Sequence, residues 1–227
     1  SIDSSLIEEI SSKKNEPNWL KEYRKNSLSI YHDLPAEVSP LYNKYTDARR
    51  MNPEQVSLSI SSDSSVPDFL AKRLDEIKNE ISIVQIGSNI YSINVNDELK
   101  SKGLVISSLD DALQSHSELI QKTLEDSNSK EDKYTALNNA AFNSGIFVYI
   151  PQNLTVDKPI HLVSCLSLDG ISTISRNMII AETNTQVSVV QELYAPKASK
   201  QQAYLELLDT RVGENSKLDF TTLQIMD

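Results

Sequence analysis

Asn153-Leu154-Thr155-Val156, Asn184-Thr185-Gln186-Val187 and Asn215-Ser216-Lys217-Leu218 follow one another at equal intervals of 31 residues. Three places after each Asn stands an apolar residue: Val156, Val187 and Leu218. Three places before stands another: Ile150, Ala181 and Val212. Ten places after come Val163, Tyr194 and Ile225. From Gly145 to Asp227 the chain reads as strand throughout. A repeat of this length predicts stacked units, none of which can bury its apolar face alone. Asn suits a recurring corner because it tolerates the left-handed backbone region and can bond its own neighbouring backbone. The segment is therefore expected to form successive coils of a parallel β-solenoid. Evenly spaced turns in an antiparallel β-sandwich would give the same marks, so that architecture is the alternative.

Upstream the pattern is helical and mixed. Ile2, Leu6 and Ile10 form a short stripe, read as a frayed helix or an arm. A firmer helix follows from 15, with Asn15 as its cap and Pro17 in its first turn. It places Trp19, Tyr23 and Ile30 on one face and stops at Pro35. Residues 35–65 carry Pro35, Pro40, Pro53, the pair Arg49-Arg50 and a Ser-rich run, which reads as a solvated loop. Ser65-Val66-Pro67-Asp68 has the form of a capping box, opening a helix through Leu70, Leu74, Ile77 and Ile81. Two β-branched runs around Gly87-Ser88-Asn89 predict a hairpin. A third short strand covers 104–106. Ser107 or Ser108 then caps a helix running through Leu113, Leu119, Ile120 and Leu124. A last helix starts near 129–132, contains Tyr134, Leu137 and Ala141, and is expected to end at Gly145. The period changes there from helical to strand-like. The expected division is a helical and mixed α/β region over 1–145 and a β-helix core over 146–227.

Bulk properties narrow the function. With 227 residues the chain can bury one large or two modest cores. A formal net charge of −10 argues against a nucleic-acid surface and against anionic lipid. The single cysteine, Cys165, allows neither an internal disulfide nor a thiolate cluster within one chain. That usage fits a reducing cytoplasm. The longest uncharged stretch, 134–156, is too rich in Asn and Gln to span a bilayer.

Few residues suggest chemistry. Cys165 and His161 stand four apart on one predicted strand, which reads as a core or edge cysteine rather than a ligand pair. His32 and His116 lie at predicted helix ends with no Cys or His nearby and read as surface residues. Asp157, Asp169 and Asp209 could line a solenoid face as in glycan-cleaving β-helices. Their spacings do not match the 31-residue period, so they read as solvated corners. Tyr149, Tyr194 and Phe220 read as core or ladder residues rather than a binding platform. No phosphate-binding glycine loop, nucleophile elbow or metal-spaced histidine pair occurs. No catalytic, cofactor-binding or metal-binding residue is assigned.

Four stretches in order carry a family resemblance. Glu16-Pro17-Asn18-Trp19-Leu20-Lys21-Glu22-Tyr23-Arg24 resembles a helix near the N-terminus of the SufB and SufD proteins. Tyr134 to Phe142 followed by Gly145 to Pro151 resembles their entry into the core. Lys158-Pro159-Ile160-His161-Leu162 is similar to their first coil, and Arg176-Asn177 with Ile179, Ile180 and Glu182 to a following strand. The resemblance implies a right-handed parallel β-helix and a SufD-like or SufB-like N-terminal portion. It also implies a non-enzymatic scaffold subunit in the cytoplasm that assembles iron–sulfur clusters beside the ABC-type ATPase SufC and a SufB/SufD-like subunit. Family members continue through more coils into C-terminal helices that carry the SufC contact and the Cys and His positions of cluster building. With Asp227 inside the solenoid, exposed Leu218 and Phe220 are expected to favour a homodimer. The rival reading is a β-helix protein that binds or cleaves polysaccharide.

Overall fold

The computed structural model describes residues 2–34, 66–126, 132–166, 173–195 and 204–226. The expected loop over 35–65 with Arg49 and Arg50, the cap residue Ser65 and the candidate Asp169 lie outside them.

Helix α1 (Ser4–Lys13) starts at Asp3, whose carboxylate accepts from the backbone N–H groups of Ser5 and Leu6. It is no frayed arm: Ile7 and Ile10 are fully buried. Asn15 does not cap the next helix. It takes a positive φ of 49° and turns the chain, and α2 (Asn18–Asp33) begins after Pro17 with no side-chain cap. The Glu16–Arg24 stretch has a physical reason to persist as a unit. Arg24 is fully buried, binds both oxygens of Glu16 at 2.8 Å, and stacks 3.9 Å over the Phe142 ring. Its remaining nitrogen donates to the Ala140 carbonyl at 3.2 Å, fixing α2 to the last helix.

Helix α3 (Asp68–Glu76) also begins after a proline, Pro67, without a side-chain cap. Ile81 lies beyond it. The hairpin forms as its β-branched runs predict, from β1 (Ser82–Ile86) and β2 (Asn89–Asn94), antiparallel across Gly87 with φ 58°. A short helix α4 (Asp97–Ser101), capped by Asn96, leads to β3 (Val105–Ser108). Ser108 caps α5 (Leu109–Ser115) by accepting from the Asp111 N–H at 3.0 Å. The single helix expected here is broken at His116, whose φ of −129° is not helical, and resumes as α6 (Ser117–Glu125). Asp132 caps α7 (Lys133–Ala141).

Gly145 does not terminate α7, which stops four residues earlier. It permits a close backbone approach: a β carbon there would stand 2.1 Å from the Arg176 carbonyl oxygen.

The remaining strands are β4 (Ile146–Ile150), β5 (Ile160–Cys165), β6 (Thr173–Ala181), β7 (Gln186–Ala195), β8 (Tyr204–Val212) and β9 (Lys217–Met226). They go alternately to two sheets, ordered β3-β4-β6-β8 and β2-β1-β5-β7-β9. Every pairing among β4 to β9 is parallel, which removes the antiparallel sandwich. Two strands from before Gly145 extend these sheets: β1 pairs parallel with β5, and β3 antiparallel with β4. The protein is thus mixed α/β with two largely parallel sheets.

The repeat marks mostly meet. Ile150 pairs with Ala181 and Ala181 with Val212, while Val187 pairs with Leu218. Asn153, Asn184 and Asn215 all adopt positive φ, at 68°, 59° and 56°. Their amides stack: Asn184 donates to Asn153 at 3.0 Å and Asn215 to Asn184 at 2.8 Å. One mark fails. Tyr194 pairs with Cys165, and Val163 lies beside Glu192. Thr155 bridges to Gln186, yet Ile160 pairs with Val189, so five steps on one strand match three on the next. The two extra residues fall at Asp157-Lys158-Pro159, where Pro159 has no N–H to give a ladder.

Between the sheets Ile83, Val148, Leu162, Ile179 and Val189 share one apolar core. Helices α2 and α7 pack on the outer side of β4 and β6 through Leu20, Leu137, Phe147 and Met178. Helix α3 covers the outer side of β1 and β5 through Leu70, Val84, Val163 and Cys165. Leu218 and Phe220, expected to be exposed, point toward the inter-sheet core and are partly buried. Val212 of β8 and Leu223 and Ile225 of β9 are exposed apolar residues; Leu223 and Ile225 alternate onto the opposite face of β9.

Candidate functional site

Near the start of β6 and β8 the space between the sheets turns polar. Alternation aims Ser175 and Asn177 of β6, and Tyr204 and Glu206 of β8, inward. Gln85, Ser164, Gln191 and Thr222 face them from the other sheet. The Glu206 carboxylate accepts from Asn177 Nδ2 at 2.7 Å, from the Tyr204 hydroxyl at 3.3 Å and from Gln191 Nε2. Gln191 Oε1 accepts in turn from Thr222 at 3.4 Å. Asn177 Oδ1 accepts from the Ser175 hydroxyl at 3.2 Å and from the Ile146 N–H at 2.8 Å, so the cluster is tied to the backbone of β4.

No cation touches Glu206 among the described residues. Burial raises its carboxyl pKa, against the lowering effect of hydrogen bonds from Gln191, Asn177 and Tyr204. Burial likewise raises the Tyr204 phenol well above its ordinary value, with the Glu206 carboxylate adding to it. Gln85 completes this zone. Its Nε2 donates to the Gly87 carbonyl and to the Ser144 hydroxyl, while its buried Oε1 has no partner. The arrangement concentrates amides, hydroxyls and one carboxyl whose pKa burial raises; it offers no thiolate.

Outside this interior, on the helix-covered face of β6, Arg176 is fully buried. Its Nε donates to Asp209 at 2.7 Å and its Nη1 to Asn139, with a weaker contact to Asn138 at 3.5 Å. Strand β8 and helix α7 are thereby joined through one guanidinium.

The residues singled out from sequence do not converge. Cys165 is buried under α3, and burial pushes its thiol up to about 11. His161 lies on the same face of β5, but its Nε2 meets Glu80 at 2.8 Å. His116 bridges α5 and α6 and packs 5.3 Å from the Phe147 and Tyr149 rings, which makes it partly buried rather than a surface residue. His32 is exposed, as expected. Asp157 is exposed, whereas Asp209 is no solvated corner: it lies within β8 and neutralises Arg176. Tyr194 is buried; Tyr149 and Phe220 are partly so. Among the described residues no three His, Cys, Asp or Glu side chains gather as a metal site would require.

The polar interior was readable in part. Ser144, Ser175 and Glu206 recur at the same 31-residue interval as the Asn corners, and the structure stacks them: Ser144 bridges to Ser175, which pairs with Glu206. Gln85 and Gln191 carry no such mark.

A family model described as the SufBD protein N-terminal region matches residues 12–162. An iron–sulfur cluster assembly SufBD family protein of Staphylococcus aureus strain USA300 is 25% identical over 98% of this chain and 50% of its own length. Proteins of the same description from S. aureus strain MRSA252 and from Staphylococcus saprophyticus are each 24% identical with the same coverage. The chain spans about half the length of these relatives. With most of its helical region and its first parallel strands inside the matched span, the chain belongs to the SufBD family.

Proposed function

We propose that this protein is a non-enzymatic scaffold subunit of a Suf-type iron–sulfur cluster assembly complex. It works in the cytoplasm beside a SufC-like ABC ATPase and a SufB/SufD-like subunit. Iron and sulfur are its cargo rather than resident cofactors. The family match over residues 12–162 carries the reading. A SufD-like rather than SufB-like identity is part of the proposal.

The architecture supports it. Consecutive strands alternate between two sheets, and neighbours stay parallel at a constant 31-residue offset along β4-β6-β8 and β7-β9. We read this as the winding of a right-handed parallel β-helix over 146–227, with 1–145 as a helical and mixed region packed on it. Such a stack is rigid because each layer braces the next. Rigidity suits a platform that presents fixed surfaces to partners.

Gentle affinity purification followed by mass spectrometry tests the reading. An ABC-type ATPase and a second SufBD-family chain are expected in the eluate. Recovery without either partner, or ATP hydrolysis by the protein alone, overturns it.

A further inference from the structure

A second site lies away from the polar interior. A cleft of about 270 Å³ opens between α6 and the ends of β6 and β8, lined by Leu119, Lys122, Ile180, Glu182, Arg211 and Gly213 among others. Lys122 and Arg211 bring two cations to one concave surface in a protein of net charge −10. Their charges are poorly matched locally. Lys122 forms no ion pair among the described residues. Arg211 approaches Asp126 only to 3.9 Å, too far for a hydrogen bond, and its Nη1 is buried without a partner. A buried donor left unpaired is unfavourable, and a guanidinium is built to hold two oxygens of one planar or tetrahedral anion.

We propose that this cleft binds a small oxyanion, a phosphate or carboxylate group on a compact ligand. Arg211 supplies paired N–H donors and Lys122 a second positive charge from the helix above. Leu119 and Ile180 form an apolar wall that excludes water from one side of the ion pair and strengthens it. Glu182 also lines the cleft, so its negative charge opposes the two cations and an anion is held best where Arg211 and Lys122 outweigh it. This site is independent of the scaffold reading, and neither stands on the other.

Inorganic phosphate titrated at low ionic strength, followed by backbone amide shifts of the labelled protein, tests it. Saturating shifts centred on Lys122, Ile180 and 211–213 are expected. They should weaken about tenfold or more in R211Q and in K122Q. A parallel acetate titration tells which oxyanion the cleft prefers, and saturation there by either one supports the proposal. Lys122 is exposed on α6, so K122Q with an unchanged melting temperature separates lost binding from lost folding. Shifts that do not saturate, that centre elsewhere, or that persist in both variants overturn it.

Discussion

Asp209 accepts a hydrogen bond from Arg176 at 2.7 Å although the two are not cross-strand neighbours. Arg176 stands opposite Leu207, and Asp209 opposite Met178. The diagonal reach leaves the guanidinium free to meet Asn139 on α7, so one buried charge ties a strand to its successor and to the helix above both. Breaking one partner of such a pair strands the other without compensation. Asp209→Ala is expected to lower stability by about 3 kcal/mol, measured by urea denaturation. Arg176→Met, which removes the charge that needs a partner, should be less harmful than Asp209→Ala. A larger loss for Arg176→Met would show that its packing outweighs its charge.

Glu206 predicts a pH dependence of defined sign. Its carboxyl pKa is raised by burial, so the folded chain keeps a proton that the unfolded chain releases above the ordinary value of 4.5. The stabilisation is complete below that value and is lost as pH rises through the higher folded one. Glu206→Gln, which resembles the protonated form, should flatten the fall in melting temperature between acidic and neutral pH. A parallel fall in both proteins would locate the effect elsewhere.

Gly145→Ala forces a β carbon into the space of the Arg176 carbonyl. The backbone of β6 must move, and the expected loss is about 3 kcal/mol, at the upper end for overpacking. Thermal unfolding reads it directly. A variant as stable as its parent would mean that the two strands can separate without consequence.

At the corners two effects are separable. Asn184 supplies both a left-handed backbone and a bond to Asn153. Asn184→Ala loses both and should cost about 1–2 kcal/mol. Asn184→Gly keeps the backbone freedom and loses only the amide ladder, so it should cost less. Equal losses would assign the corner to the ladder alone.

Cys165 is expected to resist alkylation. A thiol pushed from 9.0 to about 11 by burial carries about a hundredfold less thiolate near pH 8, and α3 covers it. Disulfide-exchange reagents should label it only on unfolding; fast labelling of the folded protein would show that α3 lifts away.

The sequence by itself determined the hairpin, the recurring corners and most of the helices, though not α4, because these depend on local chemistry. Asp3, Ser108 and Asp132 cap with their own carboxylates or hydroxyl, and an Asn every 31 residues takes a left-handed backbone wherever it falls. The same period held a polar column at Ser144, Ser175 and Glu206 for a reader who followed it onto the inner face. Only the tertiary structure decided the rest. The break at His116, the two-residue slip at Asp157-Lys158-Pro159, and the partnership of Arg176 with Asp209 and Asn139 are set by which surfaces meet. Whether a charge is buried, and against what, depends on strands and helices brought together from distant parts of the chain, and local sequence carries no record of that distance.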